Sequence, residues 1–113
     1  MSDPCAQFVE YAEAHQAKWI ANLAEAVEIP SVSGDASFRA EVYKMGAWLK
    51  NKLAEVGCDV SSHDLGMQTL DGQEVQLPPV IVGEYGRDPS KKTVLVYGPV
   101  SYTHLRAHET VLD

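Results

Sequence analysis

Cysteine is scarce in this sequence. Cys5 and Cys58 are the only two among 113 residues, and their spacing matches no metal-binding pair. They read as free, partly buried thiols of a reducing compartment, not as a disulfide. No apolar run approaches the ~20 residues of a membrane-spanning helix. The first twenty residues carry Asp3, Glu10 and Glu13 and no apolar segment, so no secretory signal is expected and a cytoplasmic location is. Basic residues are also few, 9 Lys and Arg against 16 Asp and Glu, for a net charge of -7. That balance speaks against nucleic acid and membrane surfaces as partners. No internal repeat or low-complexity tract is present. With 45% hydrophobic and 22% charged residues, the composition is that of an ordinary globular chain, and the length supports one domain at most.

Two helical patterns come first. Asp3 reads as an N-cap with Pro4 at the first helical position. Phe8, Tyr11, Ala12, Trp19, Ile20, Leu23 and Val27 then recur at three- and four-residue steps, which predicts one buried stripe of a long amphipathic helix. It ends at Ile29-Pro30, because the residue before proline is pushed out of the helical region. Ser31-Val32-Ser33-Gly34 is a short polar loop. Asp35 or Ser37 can cap a second helix whose stripe is Phe38, Val42, Met45, Leu49, Leu53 and Val56, with Gly57 as its left-handed stop.

After Gly57 the period changes. Cys58-Asp59-Val60-Ser61 predicts a short alternating strand. Asp71-Gly72, set between residues 67–70 and 74–77, predicts a tight hairpin. Pro78-Pro79 suits an edge or linker. Residues 80–85 read as the next strand, residues 86–92 as a polar connection, and residues 93–97 (Thr-Val-Leu-Val-Tyr) as a continuous apolar strand. The fold class is α/β. A strand apolar on both faces needs cover on both, and two helices cannot supply it, so the fold reads as incomplete.

Reactive groups of open α/β sheets gather beyond the carboxyl ends of strands, here just after Gly98. His104 and His108 lie four apart there, with Glu109 beside them. A metalloprotease helix places its glutamate directly after the first histidine, a position held here by Leu105. The pair therefore reads as surface or chance. Residues 101–110 also match, codon for codon, the translation of a transposase-type sequencing adapter, TCT TAT ACA CAT CTC CGA GCC CAC GAG AC. Residues 99–113 are accordingly expected to be a non-native tail.

Ile29-Pro30-Ser31-Val32-Ser33, then Leu77-Pro78-Pro79-Val80-Ile81-Val82-Gly83, then residues 88–98 ending in Val96-Tyr97-Gly98, resemble the cytosolic nonspecific dipeptidase and carnosine dipeptidase group. These are two-metal exopeptidases related to aminoacylases. The resemblance covers residues 1–98 and implies the N-terminal part of a mixed-sheet, zinc-exopeptidase-like catalytic domain. For the full-length protein it implies two Zn2+ or Mn2+ ions sharing a bridging water, a glutamate base, dipeptide substrates and a homodimer. In the family, Tyr-Gly is followed by His-x-Asp, where the histidine ligates a metal. Here those positions are Pro99 and Ser101. Proline has no donor side chain, and a neutral hydroxyl replaces a carboxylate poorly. No catalytic, cofactor-binding or metal-ligating role is therefore assigned to any residue, and this fragment is not expected to bind the metals or to be active. His15, beside the first stripe, and His63, after a strand, read as structural or surface residues. The alternative is a small non-catalytic α/β binding or interaction domain.

Overall fold

The computed structural model describes residues 3–99. Its elements run α1 (Pro4–Ala14), α2 (Gln16–Glu28), a 3-10 turn (Ala36–Phe38), α3 (Arg39–Glu55), then β1 (Asp59–His63), β2 (Met67–Leu70), β3 (Gln73–Gln76) and β4 (Val80–Glu84). The expected mixture of helix and sheet is present. The described strands form two antiparallel pairs, β1 with β4 and β2 with β3.

Helix starts follow the capping chemistry in the sequence. The Asp3 carboxylate accepts from the Cys5 backbone N–H at 3.0 Å, with Pro4 filling the first turn. Asp35 accepts from the Ser37 backbone N–H at 2.9 Å and opens the 3-10 turn that leads into α3. The end of α3 is a Schellman motif. Gly57, at φ 92, donates to the Ala54 carbonyl, and Cys58 donates to that of Leu53, each at 3.0 Å.

The single first helix expected from the periodicity is instead two. His15 sits at φ -111, ψ 21, outside the helical well. Its ring Nδ1–H donates to the Tyr11 carbonyl at 2.8 Å, and the Trp19 indole donates to the Ala12 carbonyl at 3.0 Å. Side chains have entered the backbone ladder, which is a recognised cause of a helix break. The stripe also differs from expectation in burial. Phe8, Tyr11, Trp19, Ile20, Leu23 and Val27 are exposed, Phe8 by 71% and Leu23 by 64%. The two helices carry the right periodicity: Tyr11 and Trp19 border a cleft with α3, while Phe8, Ile20, Leu23 and Val27 stay open among the described residues.

The buried core is correspondingly small. Its members are Ile29, Val32 and the fully enclosed Ser31, with Val42 and Met45 of α3. Of the second stripe, Phe38, Leu49 and Leu53 are half-buried and Val56 is exposed. α3 also lies against the β1–β4 pair. Contact is close at Gly83, where an added Cβ would stand 3.2 Å from Leu53 Cδ1 and 3.4 Å from Cys58 Cβ.

The hairpin forms as expected, with its second strand one residue earlier. Asp71 (φ 53) and Gly72 (φ 77) are both left-handed, as a type I′ turn requires. Leu70 faces Gln73 across it. β1 extends past Ser61 to His63, which is its last residue and not a loop position. Residues 93–97 do not form the expected strand: they pair with no other described segment, and Leu95 is 91% exposed. A strand is held by its ladder, and high β-propensity alone does not make one.

Candidate functional site

A concavity among the described residues lies between the first two helices and α3. It is an open cleft of about 370 Å³ lined by Tyr11, Lys18, Trp19, Asn22, Trp48, Lys52, Glu55 and Val56. Helical spacing places Trp48, Lys52 and Glu55 on neighbouring turns of α3, with Val56 at its C-cap, and Tyr11, Trp19 and Asn22 on the helices opposite. Lys52 is the hub. Its ammonium lies 3.0 Å from Glu25, 3.7 Å from Glu55 and 3.4 Å from Asn22 Oδ1. The same Glu25 oxygen accepts from the Trp48 indole N–H at 3.1 Å. Lys52 also lies 5.7 Å from the centre of the Trp48 ring, and Lys18 lies 5.4 Å from that of Trp19.

These contacts set the protonation states. The hydrogen bond from Lys52, aided by that from Trp48, holds Glu25 below the ordinary carboxylate value of 4.5. The bond to Glu25 lifts Lys52 above 10.5 against the opposing cost of desolvation. Both groups therefore stay ionised and paired through the neutral range, so neither is poised as a general acid or base there. Chemically the cleft is a joint between helices. Its members were not singled out from sequence, because Glu25 and Lys52 are ordinary polar-face positions and nothing local shows that they meet.

The sequence-derived candidates are not brought together. His15 is half-buried against the ring of Tyr11, with centroids 4.1 Å apart. His63 is exposed, its Nε2 3.0 Å from Ser61 Oγ. Cys5 and Cys58 are free thiols. Ser101, His104, His108 and Glu109 lie outside the described residues. Among the described residues, no three His, Cys, Asp or Glu side chains converge as a metal site would require. Pro99 follows Tyr97-Gly98 with no donor side chain. The described residues by themselves thus do not make up a two-metal centre.

No family model matches the chain. The Cys-Gly metallodipeptidase dug1 of Schizosaccharomyces pombe is 42% identical over 80 residues, covering 71% of this chain and 17% of the relative. The human Beta-Ala-His dipeptidase is 41% identical over 92 residues, 79% of this chain and 18% of the relative. The solved structure of the di-peptidase Dug1p from Saccharomyces cerevisiae superimposes with a TM-score of 0.86 at 33% identity, covering 96% of this chain and 23% of that one. Human carnosine dipeptidase 1 gives 0.70 at 36% identity, covering 80% and 19%. The chain is a homologue of these metallodipeptidases, spans about a fifth of their length, and corresponds to part of one of their domains.

Proposed function

We propose that residues 1–98 are a piece of the catalytic domain of a metal-dependent dipeptidase, an enzyme that hydrolyses the peptide bond of dipeptides. The observation that carries this reading is the joint match of sequence and fold to two kinds of dipeptidase, at 41–42% identity and a TM-score of up to 0.86. The full-length protein would use two zinc or manganese ions and act as a cytoplasmic homodimer. The two free thiols support the compartment. No helix among the described residues is long and apolar enough to cross a membrane.

The chain as written is inactive on this reading. Position 99, where the resemblance calls for a metal-ligating histidine, is proline, and position 101, where it calls for aspartate, is serine. Residues 99–113 are then translated adapter sequence and no part of the enzyme. The exposed face of α1 and α2 weighs against a complete small binding domain, which would bury such a stripe. The test is the native transcript beyond the Tyr97-Gly98 codons. It should read His-x-Asp, and the full-length product should hydrolyse Cys-Gly or β-Ala-His once loaded with zinc or manganese. A stop codon, or a native Pro-Val-Ser continuation, would overturn the reading.

A further inference from the structure

We propose that His15 is a hinge: α1 and α2 interconvert between the bent pair and one continuous helix, and the Trp19 indole and the His15 ring latch the bend. The bend has no cause in backbone propensity. Residues 12–17 read Ala-Glu-Ala-His-Gln-Ala, without glycine, proline or a β-branched side chain, and most are strong helix formers. The apolar period runs through them unbroken, so a continuous helix is a well-formed alternative. What opposes it is a pair of side-chain bonds. The Ala12 carbonyl, which a continuous helix would give to the Gln16 N–H, accepts the Trp19 indole N–H at 3.0 Å. The Tyr11 carbonyl accepts both the His15 backbone N–H at 3.2 Å and its ring Nδ1–H at 2.8 Å.

Small terms stand on both sides of the balance. The bend closes a cluster of three rings. Tyr11 stacks on His15, and the Trp19 ring lies 6.2 Å from that of Tyr11 and 6.1 Å from that of His15. In a continuous helix residues 11 and 19 stand about 12 Å apart along the axis, so this cluster belongs to the bent form. Against it, α2 starts without a side-chain cap. The Gln16 and Ala17 N–H groups thereby forgo the Ala12 and Glu13 carbonyls that a continuous helix would offer them. No residue of α1 is buried, so packing holds it in neither form. Each side-chain bond biases the equilibrium by about two- to twelvefold, and each restored backbone bond biases it the other way with similar weight. Tyr11 also borders the cleft beside α3. α1 is therefore a flap: bent, it sets Tyr11 at the cleft, and straight, it carries Tyr11 away from Trp19.

The experiment is residue-resolved amide hydrogen exchange on the full chain at low micromolar concentration. Gln16 and Ala17 read the bent fraction, because the bonds that would protect their N–H groups exist only in the continuous form. Trp19→Phe keeps a ring and removes the indole donor. It should raise the ratio of continuous to bent chain about two- to twelvefold, and H15A/W19F at least about fivefold, both seen as slower exchange at Gln16 and Ala17. Amides 45–50 of α3 should exchange as before. The direction of the change separates a latch from a brace. If the two side chains only fasten a single fixed conformation, their loss speeds exchange at Gln16 and Ala17. Faster or unchanged exchange there, with α3 still protected, overturns the proposal. Trp19 is 40% exposed, so the Phe variant opens no core, and it decides the matter alone if the double variant loses protection across α3.

Discussion

Expressed without a partner, the chain should assemble through segment 93–97, and one substitution should raise its solubility limit sharply. Val94, Leu95, Val96 and Tyr97 stand 82%, 91%, 85% and 86% exposed. Burying an apolar side chain of this size is worth about 1.5–3 kcal/mol, so covering all four is worth about 6–12 kcal/mol gross. Association costs about 4–15 kcal/mol in lost freedom. A dimer is therefore marginal. A growing sheet is not, because each added strand repeats the gain on a fresh edge while the segment holds no charge or proline to interrupt it. Leu95→Lys removes about 2 kcal/mol of that gain and places a like charge in every layer, which corresponds to about a thirtyfold higher threshold concentration. The assay is dilution from denaturant, followed by light scattering and sedimentation across a concentration series. A wild-type chain that stays monomeric and unfolds cooperatively at about 100 µM, or an L95K chain with an unchanged threshold, would refute the reasoning.

Further outcomes can be read in the soluble L95K background. Gly57→Ala should cost about 1 kcal/mol. A left-handed alanine is unfavourable by about 1–2 kcal/mol, partly offset by a stiffer unfolded chain, and faster amide exchange at Cys58 would report it. The nearest atom to the added Cβ is 3.5 Å away, so strain in φ and not a clash is the cause. Gly83→Val should cost about 1–3 kcal/mol by overpacking against Leu53, and L53A should relieve part of it in a double-mutant cycle by denaturation. The helix joint should be insensitive to pH across the neutral range. The stabilisation from Glu25, whose value is depressed, is present above 4.5 and lost as pH falls through its lower folded value. That from Lys52, whose value is raised, is present below 10.5 and lost as pH rises through its higher one. The Trp48 indole N–H resonance should therefore hold steady from about pH 5 to 10, and a step near pH 7 would contradict this assignment.

The features legible in the sequence are those set by local chemistry. Asp3-Pro4, Asp35, Gly57 and Asp71-Gly72 each satisfy a backbone need within a few residues, and each sits where its chemistry requires. The α2–α3 joint was illegible because Glu25 and Lys52 meet only in space. The break at His15 was hidden by an unbroken apolar period, since the capture of the Ala12 carbonyl by Trp19 reaches seven residues along the chain. The strand expected at 93–97 was read from propensity, whereas its existence depends on a neighbour. The candidate site followed the same rule: Tyr97-Gly98 was the place expected from the sequence, and among the described residues no three His, Cys, Asp or Glu side chains converge.

The β2–β3 hairpin has a consequence for how this stretch can change. β1 and β4 pair directly, His63 with Val80, so everything from Asp64 to Pro79 is an excursion that leaves the sheet and returns to the same rung. Its ties are few: the Tyr43 hydroxyl donates to the Gln76 carbonyl, and Leu77 N–H donates to the Gly66 carbonyl within its own base. Lengthening such an arm adds only about 0.6 kcal/mol of closure entropy per doubling. The hairpin is a cassette. Its Asp71-Gly72 tip can take a label or an inserted segment while the register of the paired strands beneath it stays the same.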